Sequence, residues 1–363
     1  MSKVAKRRTA APVTVAAERM VTQQLVASAC ATPADAVRRL GAVQAQDYLG
    51  SLWGIAQRCA PAADEAHVEA AVAAREIVRG WPMRGTLHFT AGADLKWMTA
   101  MLAARIVRRT ARYRELGLDD AAFATCRRAA ERELAGGGLR ARDEMYALFE
   151  RAGVACAGQR GFHLLGYLAM TGTLCFGPRR GKQFTFTLLD AWIPASRALA
   201  GDEALAELAI RYVAGHAPAG LDDFAWWTGL NLGECRRAFA AAGAALVERD
   251  GLYRPASGDD RPAAAGPRVY LLPPWDELTV GYRDRSALLD AAHATRLGNG
   301  IFSPVVVVDG RVAGTWRRTR KRDHVAITCD LLEPPSRPIA RELDAAAARY
   351  GTFLGTTATL TLA

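Results

Sequence analysis

Residues 64–90, DEAHVEAAVAAREIVRGWPMRGTLHFT, contain the change from helix to strand that decides the fold. The apolar residues of 64–79 recur at helical spacing, whereas 83–90 (MRGTLHFT) is rich in threonine and aromatic residues and predicts a strand. Two more helices are predicted upstream, over 15–30 and 32–40, the second opened by a Thr-Pro pair that suits a helix N-cap and first turn. Three helices followed by a strand are typical of a winged helix.

The same pattern of helices followed by short strands recurs twice downstream. The helices of these two recurrences are predicted at 140–152 and 159–171, then at 203–216, just after Leu221 and at 231–242. In the last recurrence, Asp250-Gly251 is a strong signal for a two-residue hairpin turn. Between the first and second patterns, long helices are predicted over about 92–115 and 119–135, and the triple glycine 136–138 ends them as a linker.

The C-terminal part mostly predicts strands. It includes a second Asp-Gly hairpin at 309–310 and one late helix over 339–349, which indicates a small barrel. We therefore expect an α+β protein, mostly helical, with three tandem winged helices followed by a small C-terminal β-barrel. The expected divisions are a disordered basic tail (1–13), winged helix 1 (14–91), connecting helices (92–138), winged helix 2 (139–198), winged helix 3 (199–256) and a β-barrel with a basic hairpin (267–363).

Composition and charge exclude several classes of protein. Among 363 residues, 47 Lys and Arg against 37 Asp and Glu give a net charge of +10, which favours a polyanionic partner, nucleic acid before anionic membrane. No apolar stretch approaches the roughly 18 residues of a membrane span, and the basic N-terminus lacks the apolar core of a signal peptide. Seven cysteines without a CxxC pair disfavour a zinc ribbon and a disulfide scaffold and indicate a reducing, cytoplasmic location. With DNA as the expected partner, we expect the protein to be associated with the nucleoid.

Familiar catalytic motifs are missing from the chain. There is no HExxH, GxSxG or GxGxxG sequence. The segment GPRRGKQ (177–183) is one residue short of a phosphate-binding loop, and Gln183 stands where such a loop needs a serine or threonine for magnesium. A basic hairpin turn is the better interpretation of this segment.

Positive charge gathers in three clusters. They are Arg105, Arg108, Arg109 and Arg112 on one predicted helix face, Arg179, Arg180 and Lys182 at a hairpin turn, and Arg317, Arg318, Arg320 and Lys321 beside Trp316 in a second hairpin that also carries Arg311 and Arg322. Taken singly, the clusters also fit a solvated helix face or a charged edge strand. Together with three winged-helix patterns, they favour contact with double-stranded DNA.

Two segments resemble the AlkZ/YcaQ-type winged-helix DNA glycosylases. These are GAVQAQDYLGSLWGIAQR (41–58), with the triplet Gln44-Ala45-Gln46, and WPMRGTLHFT (81–90). That family has a Gln-hydrophobe-Gln or Gln-hydrophobe-Asp motif ahead of an Arg-Gly-Thr-Leu-His strand, and this chain has the AlkZ-like form. LLPPWDELTVGYRDRS and DGRVAGTWRR also match the family pattern, so the resemblance covers roughly 15–360. It implies three winged helices and a β-barrel around a DNA channel, with Gln44 and Gln46 as the catalytic residues.

Two amides are adequate only for a labile substrate. In an extended segment, Gln44 and Gln46 face the same side, so both can hold one water. An N7- or N3-alkylated purine is already cationic and leaves without an acid, so positioning the water and stabilising the sugar cation is enough. We expect a monofunctional glycosylase that leaves an abasic site, acts on bulky adducts and interstrand crosslinks too, and needs no metal or organic cofactor. Whether the base leaves the stack stays open.

Residues near the triplet have competing interpretations. Asp47 is the competing general base, but in an extended segment it faces away from both glutamines, which favours a structural role. Tyr48 either stacks on a base or fills the core, and Trp53 suits the core. By resemblance, Arg84 and His88 border the site, although His88 also fits a satisfied structural histidine.

A non-catalytic winged-helix transcriptional regulator is the alternative function. It would bind specific sequences through the helices at 159–171 or 231–242, with the glutamines irrelevant, whereas a glycosylase contacts mainly phosphates. A membrane-surface protein is disfavoured because no basic amphipathic helix with large apolar residues is evident. We expect a monomer without an obligate protein partner.

Overall fold

A computed structural model describes residues 14–107, 111–257, 267–290, 293 and 303–363. The predicted tail over 1–13 lies outside these residues. The described part combines helices with four sheets, so the expected α+β class is confirmed.

The N-terminal unit contains four helices and a three-stranded sheet. Its elements are α1 Val15–Thr22, α2 Pro33–Leu40, β1 Val43–Gln44, α3 Tyr48–Ala56, α4 Glu65–Ala73, β2 Ile77–Met83 and β3 Thr86–Ala91. Helix α2 begins as predicted, because Thr32 and Asp35 form a reciprocal capping box at its start. The helix predicted over 15–30 ends earlier, at Thr22.

The prediction for 64–90 is only partly right. Helix α4 ends at Ala73, and the β-branched pair Ile77-Val78 begins a strand instead of closing the helix. The segment predicted as one strand is the end of β2, a turn and β3, with Arg84 and Gly85 at φ values of 56° and 69°. The strand order is β1-β3-β2, which puts the short strand β1, with Gln44, at the sheet edge.

Short helices connect this unit to the next. They are α5 Leu95–Leu102, α6 Ala104–Val107, α7 Arg112–Glu115 and the longer α8 Asp120–Glu133. The single helix predicted over 92–115 is therefore wrong, since α5 ends at Leu102 and two four-residue helices follow. Helix α8 agrees with its prediction, with Asp119 as N-cap and glycines 136 and 137 at positive φ beyond its end.

Two further units repeat the arrangement of helices followed by a hairpin. The first contains β4 Arg140–Ala141, α9 Arg142–Arg151, α10 Arg160–Met170, β5 Leu174–Phe176, β6 Thr185–Leu188 and α11 Leu189–Trp192. The second contains α12 Gly201–His216, α13 Leu221–Thr228, α14 Leu232–Ala242, β7 Leu246–Arg249 and β8 Leu252–Pro255. The predicted Asp250-Gly251 turn joins β7 and β8, with both residues at positive φ.

The C-terminal part forms one five-stranded sheet covered by a helix. Its elements are β9 Val269–Leu272, α15 Glu277–Val280, β10 Val305–Val308, β11 Arg311–Arg320, β12 His324–Leu331, α16 Arg337–Phe353 and β13 Thr357–Leu362. The order β13-β12-β11-β10-β9 leaves two edge strands, so the described strands do not close into the expected barrel. DELTVGYR, expected to be mostly β, instead provides helix α15, because Asp276 caps it.

The N-terminal unit and the C-terminal sheet share one core. Trp53 of α3 packs against Tyr350 of α16, with ring centroids 5.2 Å apart, and its indole N–H donates to the Leu271 carbonyl of β9. Arg58 and Asp276 form a fully buried two-pronged ion pair, with N···O distances of 2.7 and 2.9 Å. These contacts place the β9–α15 segment directly behind β1.

Candidate active site

The two glutamines meet side by side. Gln44 ends β1 and Gln46 follows two positions later, in a bend before α3, and their side chains lie together as predicted. The Gln44 Nε2 atom donates to Gln46 Oε1 at 2.6 Å. Gln44 is buried and Gln46 is exposed, so the pair joins the interior to solvent.

Gln44 has one unsatisfied atom. Its side-chain Oε1 is buried and has no hydrogen-bond donor within the described part of the chain. A buried acceptor left without a donor costs about 1–3 kcal/mol, and a water molecule is the smallest group that can supply one. The amide pair therefore offers a water both a buried acceptor and a neighbouring exposed amide.

The backbone of the motif is anchored at three consecutive points. The Gln44 N–H donates to Glu277 Oε1 at 3.1 Å, and the Ala45 N–H donates to the Leu87 carbonyl at 2.7 Å. The Ala45 carbonyl accepts two bonds from the guanidinium of Arg79, at 2.8 and 3.2 Å. Such anchoring holds the two side chains in one geometry before any substrate arrives.

His88 lies directly across from Gln44 in the sheet. Gln44 and His88 are Cα partners of β1 and β3, so their side chains share a face. His88 Nδ1 lies 3.0 Å from the Thr86 carbonyl and Nε2 lies 3.0 Å from the Arg84 guanidinium. A neutral imidazole with its proton on Nδ1 satisfies both neighbours. Burial, with the charge of Arg84, lowers the pKa of His88 to about 3, so His88 is a satisfied neutral histidine at the site border.

Glu277 is a site residue that sequence reasoning missed. It is completely buried at the start of α15, and its second oxygen lies 3.2 Å from His216 Nε2 and 3.0 Å from Trp227 Nε1. Burial raises its pKa, but the hydrogen bond to His216 and the charges of His216 and Arg84 outweigh burial, and the net pKa is lowered. The carboxylate thus links three segments behind Gln44. Its only sequence signal was its place in the segment LLPPWDELTVGYRDRS.

Asp47 has structural partners that occupy its carboxylate. It is the N-cap of α3, where Oδ1 accepts from the Gly50 N–H at 3.1 Å, and Oδ2 accepts from Arg318 at 3.2 Å. The interpretation of Asp47 as a structural residue agrees with this geometry.

Tyr48 and Trp53 are both buried. The Tyr48 hydroxyl donates to Glu69 at 2.8 Å, and its ring lies under the guanidinium of Arg179, 4.7 Å from the ring centroid. Burial and the Glu69 charge raise the pKa of Tyr48 above its usual range. Tyr48 therefore fills the core beside the site, as does Trp53.

The helical arginines are placed on separate short helices. Arg105 of α6 pairs with Glu234 at 2.8 Å, and Arg112 of α7 pairs with Glu115 at 2.7 Å. The continuous face predicted for them is interrupted, because the helix itself is interrupted. Their companions Arg108 and Arg109 lie outside the described residues.

The arginines of the β5–β6 turn are largely paired with acids. Arg179 forms an ion pair with Glu69, and Arg180 pairs with Glu144 at 3.2 Å. Lys182 is exposed and has no ion-pair partner in the part of the chain that the structure describes. The turn therefore offers one unpaired cation to an outside partner.

The cations of the β11–β12 hairpin fall into two groups, those paired with acids of the N-terminal unit and those exposed to solvent. Arg318 pairs with Asp47 at 3.2 Å and Arg320 with Glu65 at 3.4 Å, both on the N-terminal unit. The exposed cations without an ion pair, as far as the described residues go, are Arg317, Lys321 and Arg322.

Trp316 is a core residue, which corrects its prediction as a DNA contact. It is 3% exposed, and its indole N–H donates to the Leu272 carbonyl at 2.7 Å. Alternation along β11 points Trp316 into the sheet's packed face, under α16, where its ring lies 5.2 Å from Tyr350.

The described residues contain neither a metal cluster nor a membrane-spanning helix. No group of three or more His, Cys, Asp and Glu side chains there is arranged to hold a metal ion. No helix in the same part of the chain has the length and apolar character needed to cross a bilayer.

Comparisons with known proteins identify the family of the chain. The family model described as DNA glycosylase AlkZ-like matches residues 37–353. An interstrand DNA cross-link repair glycosylase of Streptomyces sahachiroi is 31% identical over 338 residues, which cover 83% of this chain and 86% of that protein. The solved structure of Streptomyces sahachiroi DNA glycosylase AlkZ superposes with a TM-score of 0.78 at 26% identity and covers 96% of this chain and 98% of that one. The chain belongs to the AlkZ-like DNA glycosylase family.

Proposed function

We propose that this protein hydrolyses the N-glycosidic bond of N7- or N3-alkylated purines in double-stranded DNA and leaves an abasic site. Bulky adducts and interstrand crosslinks are included among its substrates. Gln44 and Gln46 would hold the attacking water, without a metal or organic cofactor.

The observation that carries the proposal is the buried Gln44 Oε1 without a donor among the described residues. A water bound there would donate a hydrogen bond to Gln44 Oε1 and lie beside Gln46, which is open to solvent. An amide oxygen orients the water but is a weak base, so the substrate must contribute its own reactivity. A cationic alkylated purine does so, because its leaving group needs no protonation.

One buried carboxylate favours a positively charged transition state. Glu277 lies behind Gln44, and its lowered pKa keeps it ionised there. Negative charge near the site lowers the free energy of a developing sugar cation. His88 stays neutral at pH 7 and adds no opposing charge.

We further propose that the three units of helices and hairpins are winged helices at the expected divisions and that the monomer binds one duplex. The unpaired cations Lys182, Arg317 and Lys321 would contact phosphates, which gives binding with little sequence preference. The Streptomyces sahachiroi relative, named for interstrand cross-link repair, supports crosslinks as substrates.

The test is release of a modified base from defined duplexes. Each duplex carries one N7-methylguanine, one bulky N7-alkylguanine or one N7–N7 crosslink, and the free base or unhooked strand is measured by chromatography. We expect release by the wild-type protein and loss of release in Gln44→Ala/Gln46→Ala. No release from any of the three, or full activity of the double variant, would contradict the proposal.

A further inference from the structure

A cavity of about 390 Å³ lies between the first sheet and the second unit of helices and hairpin. Six aromatic side chains line it: Trp81, Tyr146, Phe162, Phe176, Phe184 and Phe186. Leu87 also lines it and precedes His88 in β3, so this cavity faces the side of the sheet opposite to the glutamine pair. This cavity is therefore separate from the glutamine pair. Its size lies in the range of small-ligand pockets.

Arg79 is a buried cation in the lining of this cavity. It is 4% exposed, and its guanidinium lies 4.3 Å from the Phe184 ring centroid and 4.7 Å from that of Phe176. Its hydrogen bonds go to the Ala45 carbonyl, and no carboxylate in the described ranges forms an ion pair with it. Burial lowers the pKa of Arg79 to about 10. A buried cation without a counter-charge is costly, so an acceptor entering the cavity would be stabilised.

Phe162 forms an exposed aromatic wall of the same cavity. It lies in the first turn of α10 and is 55% exposed, the highest exposure among the large apolar side chains in the described part of the chain. Exposed rings beside basic residues are the features with which proteins hold unstacked bases. Here the basic residues are Arg142 and Lys182.

The charge of the lining selects among planar ligands. Arg79, Arg142 and Lys182 face the cavity against one carboxylate, Asp143. This excess of positive charge repels a cationic alkylated purine and is compatible with a neutral ring. The carbonyl and ring-nitrogen acceptors of ordinary bases are groups to which arginine donates.

We propose that this cavity binds an unstacked, neutral nucleobase of the DNA, while the cationic lesion lies at the glutamine pair. The base stacks on Phe162 and accepts a hydrogen bond from Arg79, and Lys182 lies near its phosphate. This inference rests on the proposed function for the place of the lesion, but the binding of a normal base is measured without one.

The test compares two labelled single strands with equal phosphates. One is a thymidine pentamer and the other has an abasic tetrahydrofuran sugar at every position, and dissociation constants are measured by fluorescence anisotropy. We expect the wild-type protein to bind the base-bearing strand about tenfold more tightly, since stacking of one base is worth about that factor. Phe162→Ala should reduce this ratio to about two, and Phe162→Tyr should retain it.

Leu232→Ala is the matched control, because Leu232 is a 40%-exposed apolar residue in the first turn of α14 and does not line the cavity. It should keep the tenfold ratio. Equal affinity of the wild-type protein for both strands, or an undiminished ratio in Phe162→Ala, would overturn the inference. Failure of the proposed function is distinguishable, because it appears as absent release of N7-methylguanine whatever the binding ratio.

Discussion

Gln44 and Gln46 share one water in the proposed mechanism, and their substitutions should act as a unit. We expect Gln44→Ala and Gln46→Ala each to lower the rate of N7-methylguanine release about 100-fold, because a misplaced reactant costs about that factor. The double variant should be little worse than either single variant, since both remove the same bound water. Single-turnover rates of base release provide the measurement.

Gln57→Ala is the matched control for this prediction, since Gln57 is the C-cap of α3 in the same unit. It should keep the wild-type rate within about twofold. Independent, multiplicative losses in the two single variants would argue against a shared water.

Glu277 should act through Gln44. Because its carboxylate accepts the Gln44 N–H, we expect Glu277→Gln to lower kcat about tenfold, the size of a lost charge-assisted hydrogen bond, with KM nearly unchanged. In a Gln44→Ala background the same change should have little further effect on kcat. Asp223→Asn, which removes a buried carboxylate paired with Arg19, is the control. Any loss of kcat that it causes should be fully additive to the loss caused by Gln44→Ala. If the losses from Glu277→Gln and Gln44→Ala were instead additive, Glu277 would have a purely structural role.

His88 should make the protein sensitive to acid. Its folded pKa of about 3 lies below the usual value of 6.5, so below pH 6.5 the unfolded chain binds a proton that the folded chain excludes. The free energy of unfolding should therefore fall between about pH 6.5 and 3, by up to about 1.4 kcal/mol per pH unit, with no contribution above that range. Urea unfolding at pH 7.5, 5.5 and 4.5 checks this, and His88→Gln should have the shallower dependence. An identical pH dependence in both proteins would show that His88 is not responsible.

At the scale of elements, the start of α3 separates two roles for Asp47. Asp47→Ala removes the N-cap and should cost about 1 kcal/mol of stability. Asp47→Asn keeps a side-chain oxygen for the cap and should keep both stability and the rate of base release within a few-fold. Thermal unfolding and single-turnover assays of the two variants provide the comparison. A loss of activity in Asp47→Asn equal to that of Gln44→Ala would instead identify Asp47 as the general base.

Elements with local signals were predictable, and those set by tertiary contacts were not. The Thr32-Pro33 helix start and the Asp-Gly turns at 250–251 and 309–310 were correct, because capping and positive φ are properties of a few adjacent residues. The helix predicted over 64–79 failed at its end because Ile77 and Val78 are buried as residues of strand β2. Tertiary burial there overrides helical spacing.

The two glutamines of the candidate site could be predicted from the sequence, whereas the residues that hold them in place could not. The helix end at Gly41 allows non-helical chain to follow, and the spacing of two residues there lets the side chains of Gln44 and Gln46 meet. Glu277 lies 233 residues away, and nothing in local spacing reveals that it reaches the Gln44 N–H. Trp316 was misplaced for a related reason, since the helix that covers its face, α16, comes later in the chain.

At the scale of the whole molecule, affinity for DNA should depend on the cations of the three basic clusters that have no ion pair among the described residues. We expect Arg317→Ala/Lys321→Ala/Arg322→Ala to make the dependence of log Kd on log salt less steep by about 0.9 for each phosphate that is no longer neutralised. Apart from Lys182, the other described cations of the three clusters are held in ion pairs, so they should matter less. Titrations of undamaged duplex at several salt concentrations measure the effect. An equal change in Arg337→Ala/Arg341→Ala, exposed arginines of α16, would assign it to net charge instead of the hairpin.

The contacts that join Gln44 to Glu277, Arg58 to Asp276 and Trp53 to Leu271 each span more than 200 residues of sequence. A nascent chain with only its N-terminal unit outside the ribosome has both glutamines but lacks the carboxylate, the ion pair and the sheet that hold them. If the glutamine pair acts as proposed, competence to attack DNA should arise only late in translation, after β9 and α15 have emerged. An interrupted polypeptide would then have both glutamines without the contacts that hold them, and we expect no base removal by unfinished copies.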